Sequence, residues 1–154
     1  MKKIICMFFM IISLAIVGCS NSYAKADYAS DDMIAQQADR YSKSMSVFNS
    51  MDGGYSLTVS KFDGRETLWI GSVDEETVLE IDFCFTLSKG QAKIVHVDEE
   101  GNVTTIMECS PETSNEEIVT KNVALKKGKN RLKIVGYDCK NIDLQMLFEE
   151  PETN

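Results

Sequence analysis

Histidine, tryptophan and proline are nearly missing from this chain: its 154 residues hold one His, one Trp and two Pro. A single histidine excludes any zinc site built on a His pair. No serine sits in a G-x-S-x-G elbow, and no glycine-rich loop of the phosphate-cradling type is present. There is no CxxC pair, so the usual dithiol redox chemistry has no sequence basis. Basic residues are also scarce, 16 against 24 acidic ones, for a formal net charge of -8. Residues 1–18 contain Lys2 and Lys3 and no acid, so the remainder carries 14 basic against 24 acidic groups, or -10. Such a surface disfavours nucleic acid and anionic lipid headgroups as direct partners. It suits a domain held near a membrane but not lying on it. The length allows one domain plus an appendage.

What is present begins with Thr77 to Leu87, TVLEIDFCFTL. Leu79, Ile81, Phe83, Phe85 and Leu87 alternate with Glu80, Asp82, Cys84 and Thr86, the period of a half-buried β-strand. The folded part of the chain is organised around it.

Only one long apolar run occurs, Ile4 to Val17, behind the positive pair Lys2-Lys3. At 14 residues it is short for a membrane span, which needs about 20, and it reads as a secretory signal sequence. It closes on Ile16-Val17-Gly18-Cys19, which resembles the lipobox of bacterial lipoproteins. That resemblance implies cleavage between Gly18 and Cys19 and a diacylglycerol thioether on Cys19, with membrane lipid as a partner and the domain facing outside the cytoplasm. Two acyl chains suffice for stable anchoring where one is marginal. Ala24-Lys25-Ala26 is a competing A-x-A site, which would instead release a soluble protein starting at Asp27.

The expected organisation is a signal peptide over 1–18, a lipid-anchored tether over 19–30, a short amphipathic helix or stalk over 31–50, and a β domain over 53–150. In the helix, Met33, Gln37, Tyr41 and Met45 fall four apart, with Asp31 or Asp32 as N-cap. It reads as a stalk or as a partner-binding helix.

After Asp52-Gly53-Gly54 the pattern changes to period two. Strands are expected near 55–59, 67–73, 77–87, 92–97, 103–109, 117–125, 131–137 and 142–148, with Asp63-Gly64, Asp98 to Asn102 and Lys126 to Lys129 as turns. About eight short strands predict an all-β fold, a single antiparallel β-sandwich of jelly-roll type, with a closed barrel as the rival. Leu125 to Val135, LKKGKNRLKIV, resembles the penultimate-strand turn of jelly-roll carbohydrate-binding and galactose-binding-like domains. The whole chain looks like the small cell-surface lipoproteins of Gram-positive bacteria.

Candidate chemistry is sparse, and neither a catalytic residue, a metal nor a cofactor is expected. His96, in KIVHV, has no ligand-type residue at metal spacing and reads as structural. The acidic turns Asp74 to Glu76 and Asp98 to Asn102 offer oxygen ligands for calcium but lack the EF-hand pattern. Cys84, Cys109 and Cys139 are odd in number, so a single disulfide or three free thiols are open. Trp69 alternates away from Leu68 and Ile70; it and Tyr55 are candidate ligand-facing aromatics, with Phe62 and Tyr137 as neighbours. The alternative is that Trp69 belongs to the core.

Three functions follow. A non-catalytic binding or assembly module at the envelope, with a protein partner, leads. A carbohydrate- or wall-polymer-binding module needs an exposed aromatic face. A carboxylate-dependent hydrolase needs two acids converging in a cleft.

Overall fold

The computed structural model describes residues 22–51 and 53–149. Gly18, Cys19 and the signal segment lie outside the described residues, as does the end of the chain from Glu150 through Pro151. The fold is all-β: the described residues form seven antiparallel strands preceded by two short helices. The helices are α1 (Ser22–Tyr28) and α2 (Asp31–Ala35), and the strands are β1 (Arg40–Met51), β2 (Gly54–Val73), β3 (Thr77–Thr86), β4 (Lys89–Val97), β5 (Val103–Cys109), β6 (Val119–Leu125) and β7 (Gly128–Leu147).

Two strands, β2 and β7, run for 20 residues each. Drawn straight, either would be about 65 Å long, well beyond the width of a compact domain of this size. They pair with each other along their whole length and bend together, and the bend makes two layers out of one connected sheet. One layer holds β1, the first half of β2, the second half of β7, β3 and β6. The other holds the second half of β2, the first half of β7, β4 and β5. The result is an antiparallel β-sandwich.

The bend is where two turns are expected from sequence. Asp63-Gly64 does not reverse the chain; it carries a register shift between Phe62 and Gly64 within β2. Gly64 has φ +113°, and a Cβ there would lie 2.1 Å from the Arg40 carbonyl oxygen, so only glycine fits. On β7, Asp138 and Asn141 take φ of 54° and 50°, residue types that tolerate this region. The eight expected short strands therefore merge into fewer, longer ones.

The core lies between the layers. Leu79, Ile81, Phe83, Phe85 and Leu87 of the organising strand are all buried there with Leu57 and Leu144 of their own layer and Ile94, Leu132 and Ile134 of the other. A second, smaller cluster occupies the outside of the other layer, where Ile34 of α2 covers Val95, Val97 and Val135.

The N-terminal region departs from expectation. The tether over 19–30 is helical from Ser22, with Ala24 and Asp27 buried on the sheet. The helix expected over 31–50 stops at Ala35, and its N-cap is Ser30, whose Oγ accepts from Met33 N at 3.3 Å. Residues 40–51 form edge strand β1, paired with β2 from Arg40↔Arg65 to Met51↔Gly54. Helix propensity over Ser42, Ser44, Ser46 and Val47 is poor, and a ladder of backbone hydrogen bonds with β2 outweighs it.

Basic side chains from the sheet hold this region down. Arg131 donates to the carbonyls of Gln36 at 3.0 Å and Ala35 at 2.8 Å. Lys133, fully buried, donates to Ile34 O at 3.2 Å and Gln36 O at 2.8 Å and pairs with Asp39 at 3.1 Å. These cations meet the terminal carbonyls of α2, which have no partner inside the helix. Burial lowers the Lys133 pKa, opposed by Asp39.

Candidate functional site

On the β1 side the two layers have unequal width. β1 extends the first layer by one strand, whereas in the second layer, among the described residues, β2 is the last strand on that side. The inner face of β1 therefore forms a shelf that no opposite strand covers. Met45 takes φ 46° between the pairs Ser44↔Lys61 and Ser46↔Val59, a kink without a register shift. Lys43 pairs with buried Phe62, and Ser46 and Phe48 with buried Val59 and Leu57, so Tyr41 and Lys43 before the kink and Ser46 and Phe48 after it share this face.

Aromatic rings run from the shelf into the core in series. Phe48, 44% exposed, stacks on Tyr55 with centroids 5.7 Å apart and planes 14° from parallel. Tyr55 meets Phe148 at 5.8 Å, and Phe148 meets Trp69 edge-on at 5.8 Å. Further along, Tyr41 stacks on Phe62 at 6.5 Å. Beside Tyr41, Lys43 Nζ lies 4.8 Å from its ring centroid and bonds Glu66 Oε1 at 2.5 Å. The surface thus offers apolar ring faces flanking a charged pair.

Trp69 is a correction. It is 5% exposed and belongs to the core, not to a ligand-facing surface. A register shift between Thr67 and Trp69 breaks the alternation, and a one-residue slip sends every later side chain to the opposite face. Leu68 and Trp69 are consequently both buried, and Ile70 is left exposed. Tyr55 is half-buried on the shelf. Of the expected neighbours of Trp69, Phe62 packs in the same core but stacks on Tyr41, and Tyr137 sits elsewhere, against Tyr28. Phe48 is the residue sequence reasoning missed. The period-two serines at 42, 44 and 46 were the available signal of a strand there.

A second concavity, of about 410 Å³, opens between β5 and β6, the outer strands of the two layers on the other side. His96, Asp98, Thr104, Lys121 and Val123 line it. Asn130 Nδ2 donates to the carbonyls of Lys126 at 2.7 Å and Gly128 at 2.9 Å, and its Oδ1 accepts from Lys126 N at 3.0 Å. That fixes the amide orientation, so His96 Nε2, 2.8 Å from the same Oδ1, must be the donor. His96 thereby ties β4 to Asn130 of β7, the residue that holds the Lys126 to Gly128 turn, a structural role.

The acidic loop after β4 is likewise accounted for locally. Asp98 Oδ1 accepts from Asn102 N and Oδ2 from Asn102 Nδ2, both at 2.8 Å. Gly101 supplies φ +88° to close the turn. Among the described residues no group of three or more His, Cys, Asp or Glu is placed to hold a metal ion. Cys84, Cys109 and Cys139 are all free thiols.

No protein-family model and no curated protein matches the chain. Among solved structures it is similar to a CBM29-2 mutant complexed with mannohexaose, at 13% identity and TM-score 0.42, over 73% of this chain and 79% of that one. It is also similar to the carbohydrate-binding module CBM6cm-2 from Cellvibrio mixtus lichenase 5A in complex with cellotriose. There the identity is 9% and the TM-score 0.42, over 73% of this chain and 91% of that one.

Proposed function

We propose that this chain is a non-catalytic binding module of the cell envelope, anchored through acylated Cys19, that takes a glycan or wall polymer along the β1 shelf. The observation that carries the ligand class is the Phe48–Tyr55 pair, stacked at 5.7 Å with Phe48 44% exposed. A sugar ring presents an apolar face of C–H groups that packs on an aromatic plane, and its hydroxyls need polar partners close by. Lys43 and Glu66 stand beside Tyr41 on the same shelf. This reading rests on the shelf and the lipobox, and not on likeness of fold.

Native gels cast with soluble wall polysaccharide test it. The protein should be retarded, Phe48→Ala should migrate as in a polymer-free gel, and the fluorescence of Trp69, two rings away from Tyr55, should change on binding. Equal mobility of both proteins in every polymer would sink the glycan reading. The anchor is tested apart from it: Cys19→Ser should abolish labelling by a fatty-acid probe.

A protein partner is the second reading, favoured by Met45, 80% exposed, and Val47 on the same edge strand. Edge strands with exposed apolar residues invite an added strand. Here the kink at Met45 interrupts the edge that such a strand would follow. Crosslinking from β1 to one recurring protein would favour this reading over the first.

A further inference from the structure

Lys61, Lys140 and Lys89 lie directly opposite one another on three adjacent strands, β2, β7 and β4. All three are exposed, and among the described residues none forms an ion pair. Neighbouring strands are about 4.8 Å apart, and like charges directly opposite destabilise a sheet. An anion outside the domain would relieve that repulsion.

The row sits at the bend, and so does the start of the folded chain. Lys25 of α1 reaches over the Tyr137 ring at 5.8 Å, and Arg40 lies over Tyr23 at 4.1 Å. These five cations stand with Asp63 and Asp138 at one end of the molecule. The opposite end of the same layer has the reverse sign. There the turns at 74–76, 98–102 and 126–127 bring Glu76, Asp98, Glu99 and Glu100 around Lys126 and Lys127. Strand β4 separates the two ends, with Lys89 at one and Val97 at the other, roughly 26 Å apart.

We infer that the Lys61–Lys140–Lys89 row docks on the anionic headgroups of the membrane that carries the anchor, with the acidic turns directed away from it. This rests on the acylation of Cys19 proposed above. Chain length selects lipid as the occupant. Helix α1 begins at Ser22 and packs on the sheet through Ala24 and Asp27, so the reach from Cys19 is three residues, roughly 10 Å. That is close to the screening length at physiological salt, about 8 Å, so the lysines lie within the range of the surface potential. The net negative charge of the chain hides this polarity.

The test uses full-length acylated protein in vesicles containing anionic lipid and a lipid with a nitroxide headgroup. In a Cys84→Ser background, a fluorophore is placed at Ser42→Cys, near the bend, or at Glu100→Cys, at the acidic end. Quenching should be several-fold stronger at position 42. The difference should vanish in neutral vesicles and in a K61Q/K89Q/K140Q variant, which removes the like-charge row and so should fold. A spacer of Gly and Ser inserted after Ser20 should weaken it. Equal quenching at both positions while mass spectrometry shows acylated Cys19 overturns the docking and leaves the anchor standing. So does a difference that survives removal of the three charges. An unacylated Cys19 refutes the anchor itself and the docking with it. Binding of the lysine row to a soluble anionic wall polymer, with equal quenching on vesicles, assigns the row to that polymer and refutes the lipid.

Discussion

The Arg65 guanidinium bonds the Asp27 carboxylate in a site where each side chain is only 2% exposed, fastening helix α1 to strand β2. Arg65 also donates to Gln36 Oε1 at 2.7 Å and Ala38 O at 3.3 Å, so one side chain holds both ends of the N-terminal region. Removing one partner of a buried pair leaves an uncompensated charge, at a cost of about 3–5 kcal/mol. Arg65→Ala and Asp27→Ala should each lower the unfolding free energy obtained from urea titration by an amount in that range, and the double variant should lose less than the sum. Additive losses would mean that the two side chains do not act as a pair.

The buried face of β3 was legible because its alternation runs unbroken from Leu79 to Leu87, and period two has no other reading there. Strand β1 was not. Met33, Gln37, Tyr41 and Met45 fall four apart by coincidence, and what decides against the helix is the partner strand β2, which a local window does not contain. Phe48 was lost for the same reason. Tyr55 could be placed by alternation, but Trp69 lies beyond the shift at Thr67, and a bulge carries no signature in the types of residue around it. The lysine row depends on the register of three strands far apart in the chain, so no sequence pattern marks it.

Trp69 and Phe48 stand at opposite ends of one series of rings and should respond differently to truncation. Trp69→Ala opens the core beneath Phe148 and should cost about 3–5 kcal/mol of stability. Phe48, nearly half exposed on an edge strand, should cost under about 1 kcal/mol while removing polymer binding. Thermal unfolding and gel retardation on the two variants check this. A Phe48→Ala protein as unstable as Trp69→Ala would make Phe48 a core residue and leave the shelf without its exposed ring.

Thiol chemistry should divide the cysteines. Burial, with Asp63 nearby, pushes the Cys139 thiol up to about 12, and burial raises Cys109 as well. Both donate to carbonyls, Cys139 to Gln91 O at 3.1 Å and Cys109 to Phe85 O at 3.3 Å. Since the thiolate is the reactive form, the native protein at pH 8 should react rapidly only at half-buried Cys84. Cys109 and Cys139 should react after denaturation. Rapid native labelling of Cys139 would contradict its burial.

Acid should weaken the fold partly through Asp98. Burial pushes its carboxyl pKa up, but the side-chain and backbone donors of Asn102 outweigh this and hold it below the usual carboxylate value. An unfolded aspartate titrates near about 3.9, so in acid the unfolded chain binds the proton more readily than the folded one. The contribution is therefore full above the unfolded value and is lost as pH falls through the folded value. Asp98→Asn keeps a side-chain oxygen for Asn102 but no charge. The variant should be less stable than the parent at pH 7, by about 1 kcal/mol, and the gap should shrink as pH falls from about 5 toward 2. Urea midpoints of both proteins at pH 7 and pH 3 decide it. A gap of the same size at both values would show that the Asn102 donors do not favour the ionised carboxylate, and the turn would then be held by Gly101 and the backbone alone.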